Sequence, residues 1–169
     1  MKKKSYIACL CTLALTLFTT SCEENSDDPK YRSLPPVFAD MEFKNVGGEN
    51  EIIKAGDKIL ATCVQQQYGR LLNLTSYKWR VDTIQTNKPV NAQHNYKKEV
   101  VYDTDAAHPT DTIIFKYPGT YYVTFDAKYG ISGQAESVSN ITSIEHGSIR
   151  YSNSPLSYFV TIEKRISVK

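Results

Sequence analysis

The chain has 169 residues, and 20 Lys and Arg stand against 18 Asp and Glu, so its formal net charge at pH 7 is +2. Basic residues cluster only at the N-terminus. This distribution excludes the broad basic face that nucleic-acid binding or a polybasic membrane patch requires.

The N-terminus has the three-part pattern of an export signal. Lys2–Lys4 form a basic leader, Tyr6–Phe18 form a mostly apolar run, and small residues then lead to Cys22. A cysteine after small residues predicts a lipoprotein signal peptide over residues 1–21, with Cys22 as the lipidated residue. The apolar run is too short to span a bilayer as a helix. A plain secretory signal and an uncleaved anchor are the alternatives.

The residues around Cys22 resemble those of Bacteroidetes lipoproteins. Thr19 stands where the strictest lipoprotein pattern has leucine, and an acidic run follows at Glu23–Asp28. This run looks like the tag that directs such lipoproteins to the outside of the outer membrane, so the resemblance implies a lipid-anchored protein exposed at the cell surface. The simpler interpretation is a solvated acidic spacer. In either case the charge and proline content of residues 22–36 predicts a flexible tether.

Removal of the leader changes both the charge and the cysteine content. Residues 1–21 hold three of the 20 basic residues, which leaves 17 against 18 acidic ones and a net charge of about −1. Cys9 and Cys11 leave with the leader, so Cys63 becomes the single free thiol once Cys22 is acylated. No disulfide or cysteine metal cluster is then expected, and no cofactor beyond the covalent lipid, such as palmitate. A catalytic thiol at Cys63 is the alternative to a buried one.

Residues 37–169 show the alternation of apolar and polar residues that predicts one all-β domain of about seven to nine strands. In the clearest segment, Tyr121, Val123, Phe125 and Ala127 are predicted to point inward and Tyr122 and Thr124 outward. The predicted strands cover residues 37–46, 58–65, 75–84, 99–102, 112–117, 119–129 and 156–168.

Four residues favour an immunoglobulin-like β-sandwich. Cys63 occupies the place of the first core cysteine, and Trp79 follows 16 residues later on the next predicted strand. Tyr121 ends an aromatic-Pro-Gly pattern typical of a tyrosine corner, and Val123 stands where the second cysteine of such domains would lie. We therefore predict that Cys63, Trp79, Tyr121 and Val123 mark the core.

These segments resemble the polycystic-kidney-disease-like (PKD-like) domain family. The resemblance rests on AGDKILATC, LTSYKWRVD and FKYPGTYYVTFDAKYGISG, and it covers residues 51–133 plus the last strand. The chain differs in having Arg80–Thr83 where PKD repeats carry a Gly-Asp-Gly turn, and in an insert at residues 131–155. Many Bacteroidetes surface lipoproteins have such domains, some of them beside outer-membrane nutrient-uptake systems. The resemblance therefore implies a surface interaction domain.

Two long segments and several tyrosines are candidates for a contact surface. Residues 85–98 contain His94, and residues 131–155 contain Tyr151 and a short predicted strand at 148–151. Exposed aromatic rings stack sugars and bury interface area, although tyrosine also suits half-buried strands. The predicted contact residues are Tyr122, Tyr129, Tyr151 and His94.

Two further motifs predict modification or metal binding. Asp-Thr-Ile triplets make Thr83 and Thr112 candidate O-glycosylation sites, since the triplet looks like the acceptor pattern of exported Bacteroidetes proteins. Asp103, Asp105 and Asp111 surround a turn that could hold calcium, but the spacing matches no dedicated loop. A solvated turn is the favoured interpretation, and no metal site is predicted.

The sequence has none of the local motifs of hydrolases, metalloproteases or phosphate-binding enzymes. We therefore expect a non-enzymatic surface lipoprotein whose folded domain is an interaction module. The expected role of this module is that of an accessory to a nutrient-uptake complex. Direct glycan binding and a role as an adhesin or fimbria-associated subunit are the alternatives. The expected partners are the membrane, through the lipid, and an outer-membrane complex or extracellular glycan; no nucleic acid is expected.

Overall fold

The computed structural model describes residues 28–48, 52–83, 92–93, 97–101 and 109–169. The chain divides into two units between Tyr31 and Arg32. The predicted signal peptide and Cys22 lie outside the described residues. Within these residues no helix has the length and hydropathy needed to cross a membrane. The described part of the first unit is a 3₁₀ turn at Pro29–Tyr31.

The second unit is built from short and medium-length strands, and each of the seven predicted strands matches one of them. Boundaries differ by a few residues, since alternation does not show where backbone pairing stops. The strands are β1 Arg32–Ser33, β2 Val37–Asn45, β3 Lys58–Gln67, β4 Leu72–Thr83, β5 Ala92–Gln93, β6 Lys97–Val101, β7 Thr110–Phe115, β8 Gly119–Ile131, β9 Gln134–Ala135, β10 Asn140–Ile144, β11 Gly147–Ser154 and β12 Ser157–Val168.

The strands form two main antiparallel sheets. The larger sheet has the order β10-β11-β12-β8-β4-β6, and the smaller one has the order β2-β3-β7-β5. β1 and β9 form a separate parallel pair. The all-β prediction is confirmed. The expected number of about seven to nine strands was too low, because the described residues form twelve, several of them short.

The two sheets share one apolar core. The ring of Phe38 on β2 meets that of Phe125 on β8 edge-on at 6.0 Å between centroids. Phe115 on β7 lies 4.7 Å from Tyr121 on β8. Aromatic pairs at such distances add to the stabilisation from apolar burial. This arrangement of two sheets around a common core is consistent with a β-sandwich.

The predicted core markers are buried. Cys63, Trp79, Tyr121 and Val123 all belong to the central apolar cluster. The Tyr121 hydroxyl donates a 2.8 Å hydrogen bond to the Tyr117 carbonyl oxygen, four residues upstream. This is the contact expected for a tyrosine corner.

The inward and outward assignments on β8 need two corrections. Tyr129 was expected to be exposed, but its side chain is only 1% exposed. β8 runs on to Ile131, so Tyr129 continues the inward series of Ala127. Thr124 was expected outward and is also buried. It lies between Arg80 and Glu163 on the adjacent strands, whose long side chains can cover a short one.

The insert at residues 131–155 is more regular than expected. β10 and β11 pair in a hairpin with a turn at Glu145 and His146, and β11 pairs with β12. The insert therefore widens the larger sheet by two strands. β10 is almost wholly exposed, so it lacks the apolar alternation that reveals a half-buried strand.

The last residues of the predicted tether belong to the folded unit. The Ser33 side chain is fully buried, and its hydroxyl donates to the Leu71 carbonyl at 2.7 Å and accepts from the Gly133 N–H at 2.9 Å. The Tyr158 hydroxyl donates to the Ser33 carbonyl at 2.5 Å. Residues 32–36 are therefore not part of a free tether, because distant segments satisfy their polar groups. The composition of the segment does not show these partners.

Candidate functional site

The predicted contact residues do not form one surface. Tyr129 lies in the core, and His94 lies outside the described residues. Tyr151 is half-buried, and its hydroxyl accepts a 2.8 Å hydrogen bond from the Phe38 N–H on the smaller sheet. Burial raises the pKa of this hydroxyl. Tyr151 therefore connects the two sheets, and Tyr122 keeps a partly exposed place on the outer side of β8.

The larger sheet carries an open groove where β10, β11 and β12 lie side by side. Its volume is about 560 Å³. Ile141 and Phe159 are 71% and 39% exposed there, so two large apolar side chains lie on the same part of the sheet face. We call this the outer groove, and it is lined by Ser139, Asn140, Ile141, Arg150, Tyr151, Ser152, Phe159 and Thr161.

Strand register explains why these residues meet. Ile141 pairs with Arg150, and Arg150 pairs with Thr161 on the next strand. Phe159 lies one row away, opposite Ser152. Residues that pair across antiparallel strands share a face of the sheet, so this register places an aliphatic group, a guanidinium group and an aromatic ring side by side.

An ion-pair network borders the outer groove on β8. The Asp126 carboxylate accepts a 2.8 Å hydrogen bond from the Thr161 hydroxyl and a 3.0 Å bond from Nε of Arg80. Both charged side chains are partly exposed, so the ion pair contributes little to stability. Its main effect is to hold Thr161 in place at the groove margin.

A second charged pair connects the two sheets and lies on the core-facing side of the larger sheet. Nζ of Lys164 on β12 donates to both carboxylate oxygens of Asp40 on β2, at 2.8 and 2.9 Å. Lys164 is largely buried, and the two hydrogen bonds satisfy its charge. This geometry is that of a structural ion pair.

Cys63 lies in the centre of the core on β3, and burial raises its pKa well above the usual value for a thiol. The thiolate is the reactive form, so a raised pKa makes it scarce at neutral pH. We expect a thiol-reactive dye to label Cys63 in the mature protein only after unfolding. The measurement compares labelling rates in buffer and in urea with Cys9, Cys11 and Cys22 replaced by serine, which leaves Cys63 as the single thiol of the chain. Rapid labelling of the folded protein would support the catalytic alternative.

The candidate metal and modification residues fall in different places. No group of three or more metal-ligating side chains occurs among the described residues. Asp111 is buried and accepts a hydrogen bond from the Thr112 N–H at 2.8 Å, whereas Asp103 and Asp105 lie outside the described residues. Thr112 lies within β7 and Thr83 ends β4, both half-buried. Their O-glycosylation stays a prediction.

The sequence interpretation did not identify Phe159, Ile141 or Arg150. Phe159 could have been found, because it alternates with the inward residues Tyr158 and Val160 on the last predicted strand. Ile141 and Arg150 had no such signal, since their positions depend on the hairpin of β10 and β11.

Two other tyrosines, Tyr68 and Tyr117, are well exposed but lie far apart. Tyr68 follows the end of β3, and Tyr117 follows the end of β7. β3 and β7 are antiparallel, with Lys58 at the start of β3 paired to Ile114 near the end of β7. The two rings therefore lie at opposite ends of the smaller sheet and cannot form one stacking platform.

Comparison with protein-family models, with curated protein sequences and with solved structures gave no match. The chemistry of the outer groove is therefore the basis for a functional proposal. Its aromatic, aliphatic, guanidinium, amide and hydroxyl groups can bind another molecule by packing and hydrogen bonding.

Proposed function

We propose that this chain is a lipid-anchored outer-membrane protein, exposed at the cell surface, and that its folded unit is a non-catalytic interaction module. The observation that carries the proposal is the outer groove, which holds exposed apolar side chains on an otherwise polar sheet face. Large exposed apolar groups cost free energy in solution unless a partner covers them.

We further infer that the folded unit is an immunoglobulin-like, PKD-like sandwich. The hydrogen bond from Tyr121 to Tyr117 and the burial of Cys63, Trp79 and Val123 support this assignment. In such domains the framework is conserved in shape while binding residues vary. The fold itself therefore says nothing about the ligand.

The composition of the outer groove favours a protein partner. Aromatic residues and arginine are enriched in protein interfaces, and Phe159 and Arg150 supply both within adjacent rows of the sheet. Ile141 adds aliphatic area at the rim. An outer-membrane protein complex, such as a nutrient-uptake system, is the partner that the proposed location favours.

Glycan binding is the second candidate, and the polar lining of the same groove favours it. Ser152, opposite Phe159, and Thr161, two positions further along β12, place hydroxyl groups on the same face as its exposed ring. An aromatic face flanked by amide and hydroxyl groups is the usual combination for stacking and hydrogen bonding a sugar. Of the tyrosines first predicted for this role, Tyr151 lines the groove and Tyr129 lies in the core.

The test is an affinity pull-down of the tagged full-length protein from its native membrane, with mass spectrometry of the recovered proteins. We expect the wild-type chain to recover a partner in stoichiometric amount and Phe159→Ser to lose most of it. Tyr117→Ser is the matched control, because it removes an exposed ring from a turn outside the groove. Equal recovery by all three proteins would reject the groove as the binding site. Recovery of no protein, with glycan binding that depends on Phe159, would favour the second candidate.

A further inference from the structure

Among the residues that the structure describes, the two main sheets end in four edge strands, and β10 differs from the other three. The pairing of β2 is interrupted by register shifts at Phe38, and β2 carries charged residues. β5 has only two residues. β6 begins with two lysines and a glutamate. Short length, bulges and charge are the features that keep an edge strand from pairing with another chain. β10 has none of them.

The β10 edge is exposed, uncharged and regular. Its sequence, Asn-Ile-Thr-Ser-Ile, contains no charge and no proline, and four of its five residues are exposed. Its pairing with β11 runs through all five residues without a register shift. One side of this strand therefore presents backbone N–H and C=O groups to another strand.

The sequence around β10 is symmetric in chemical character about Ile141. Val138 and Ile144 are apolar, Ser139 and Ser143 are identical, and Asn140 and Thr142 are both small polar residues. If two copies pair antiparallel with Ile141 opposite Ile141, Asn140 meets Thr142 within β10, and extension of the strand by Ser139 and Val138 would match Ser139 with Ser143 and Val138 with Ile144. A register centred on Thr142 would instead place Asn140 opposite Ile144 and Ile141 opposite Ser143.

We propose that β10 is a self-association edge, through which two copies of this chain join their larger sheets by antiparallel pairing centred on Ile141. The pairing is isologous, as a two-fold axis requires, and it covers a side chain that is 71% exposed. The absence of charge on the strand removes the like-charge repulsion that a two-fold axis would otherwise impose. Ile141 also lies at the rim of the outer groove, so self-association and the groove's partner share this side chain. The pairing itself depends neither on the identity of that partner nor on the lipid.

The area of one strand pair is small, so the association in solution is weak. Confinement of both copies to one membrane would raise their effective concentration and favour the pair. The two outer grooves would then lie on either side of the seam, on the same face of one continuous sheet of twelve strands.

The first test is disulfide crosslinking of the full-length protein in its native membrane under mild oxidation. Ile141→Cys should crosslink several-fold more than Leu156→Cys, which lies on a turn and is 77% exposed, so it measures random collision. Thr142→Cys should remain at the level of that control, because Thr142 faces Asn140 in the proposed register. The wild-type chain measures the background of crosslinking by the native cysteines. Equal crosslinking of Ile141→Cys and Leu156→Cys would overturn the proposal, and stronger crosslinking of Thr142→Cys would overturn its register.

The second test is charge complementation, measured by sedimentation velocity of the purified protein over a concentration series. The wild type should show a dimer fraction that rises with concentration, and a wild type that stays monomeric at the highest concentration would contradict the proposal. Ile141→Lys and Ile141→Glu should each abolish the concentration-dependent dimer, since each places two like charges at the two-fold axis. An equal mixture of the two should restore it. Both substitutions are on an exposed strand, so folding should be unaffected, which circular dichroism checks. A dimer that persists in either single variant, or a mixture that stays monomeric, would contradict the proposed pairing.

Discussion

Phe125→Ala should lower the free energy of unfolding by about 3–5 kcal/mol, the usual range for removing a buried phenylalanine. Phe125 is fully buried at the middle of β8, and its ring lies 4.9 Å from that of Trp79 and 5.2 Å from that of Tyr77. Phe38 reaches it from the other sheet. The substitution therefore leaves a cavity where the two sheets meet. Because domains have only about 5–15 kcal/mol of stability, the loss should be visible as a large fall in the urea midpoint.

Phe159→Ala is the matched control for this measurement. It removes the same ring from β12, on the outer face of the same sheet, where the side chain is already partly in water. We expect a loss below about 1 kcal/mol. Equal losses in the two variants would mean that Phe125 is not at the centre of the core.

Cys22→Ala should abolish attachment of the protein to the membrane almost completely. If the thiol of Cys22 is the site of acylation, alanine leaves no acceptor, and the tether then has no anchor. The measurement is membrane fractionation combined with the intact mass of the mature chain. We expect the wild type to sediment with membranes and to carry acyl chains on a terminus at Cys22. The variant should show neither.

Cys63→Ala serves as the control for Cys22→Ala. It removes the other cysteine of the mature chain, which is buried and has no access to a lipid-transfer enzyme. Attachment should be unchanged. If the wild-type chain itself is recovered from the membrane with an intact leader and no acyl chain, the anchor is an uncleaved helix, and the lipoprotein assignment is wrong.

Alternation along the chain was a sufficient guide to most of the core. Tyr121, Val123, Phe125 and Ala127 point inward as expected, because a strand that packs on one side must place every second residue in the core. The tyrosine corner was also predictable, since its hydrogen bond joins residues only four apart. These are local features, and a local pattern is enough to identify them.

The candidate site was not predictable in the same way. Tyr151 was assigned to the surface, yet its hydroxyl reaches Phe38, 113 positions earlier in the chain. Ile141 and Arg150 share the outer groove with Phe159 only because the hairpin of β10 and β11 adds to the edge of β12. An exposed polar strand has no apolar face to mark it, so its pairing is invisible in the sequence.

The amino-acid sequence by itself determined the all-β class, the approximate strands and the inward face of β8, since each depends on the period of two along one strand. Only the tertiary structure decided that Ser33 is buried, that β10 forms an unprotected edge and that Phe159 lies in a groove. Those properties depend on which strands become neighbours. Neighbours are selected by the packing and hydrogen bonding of segments far apart in the chain, which no local pattern records.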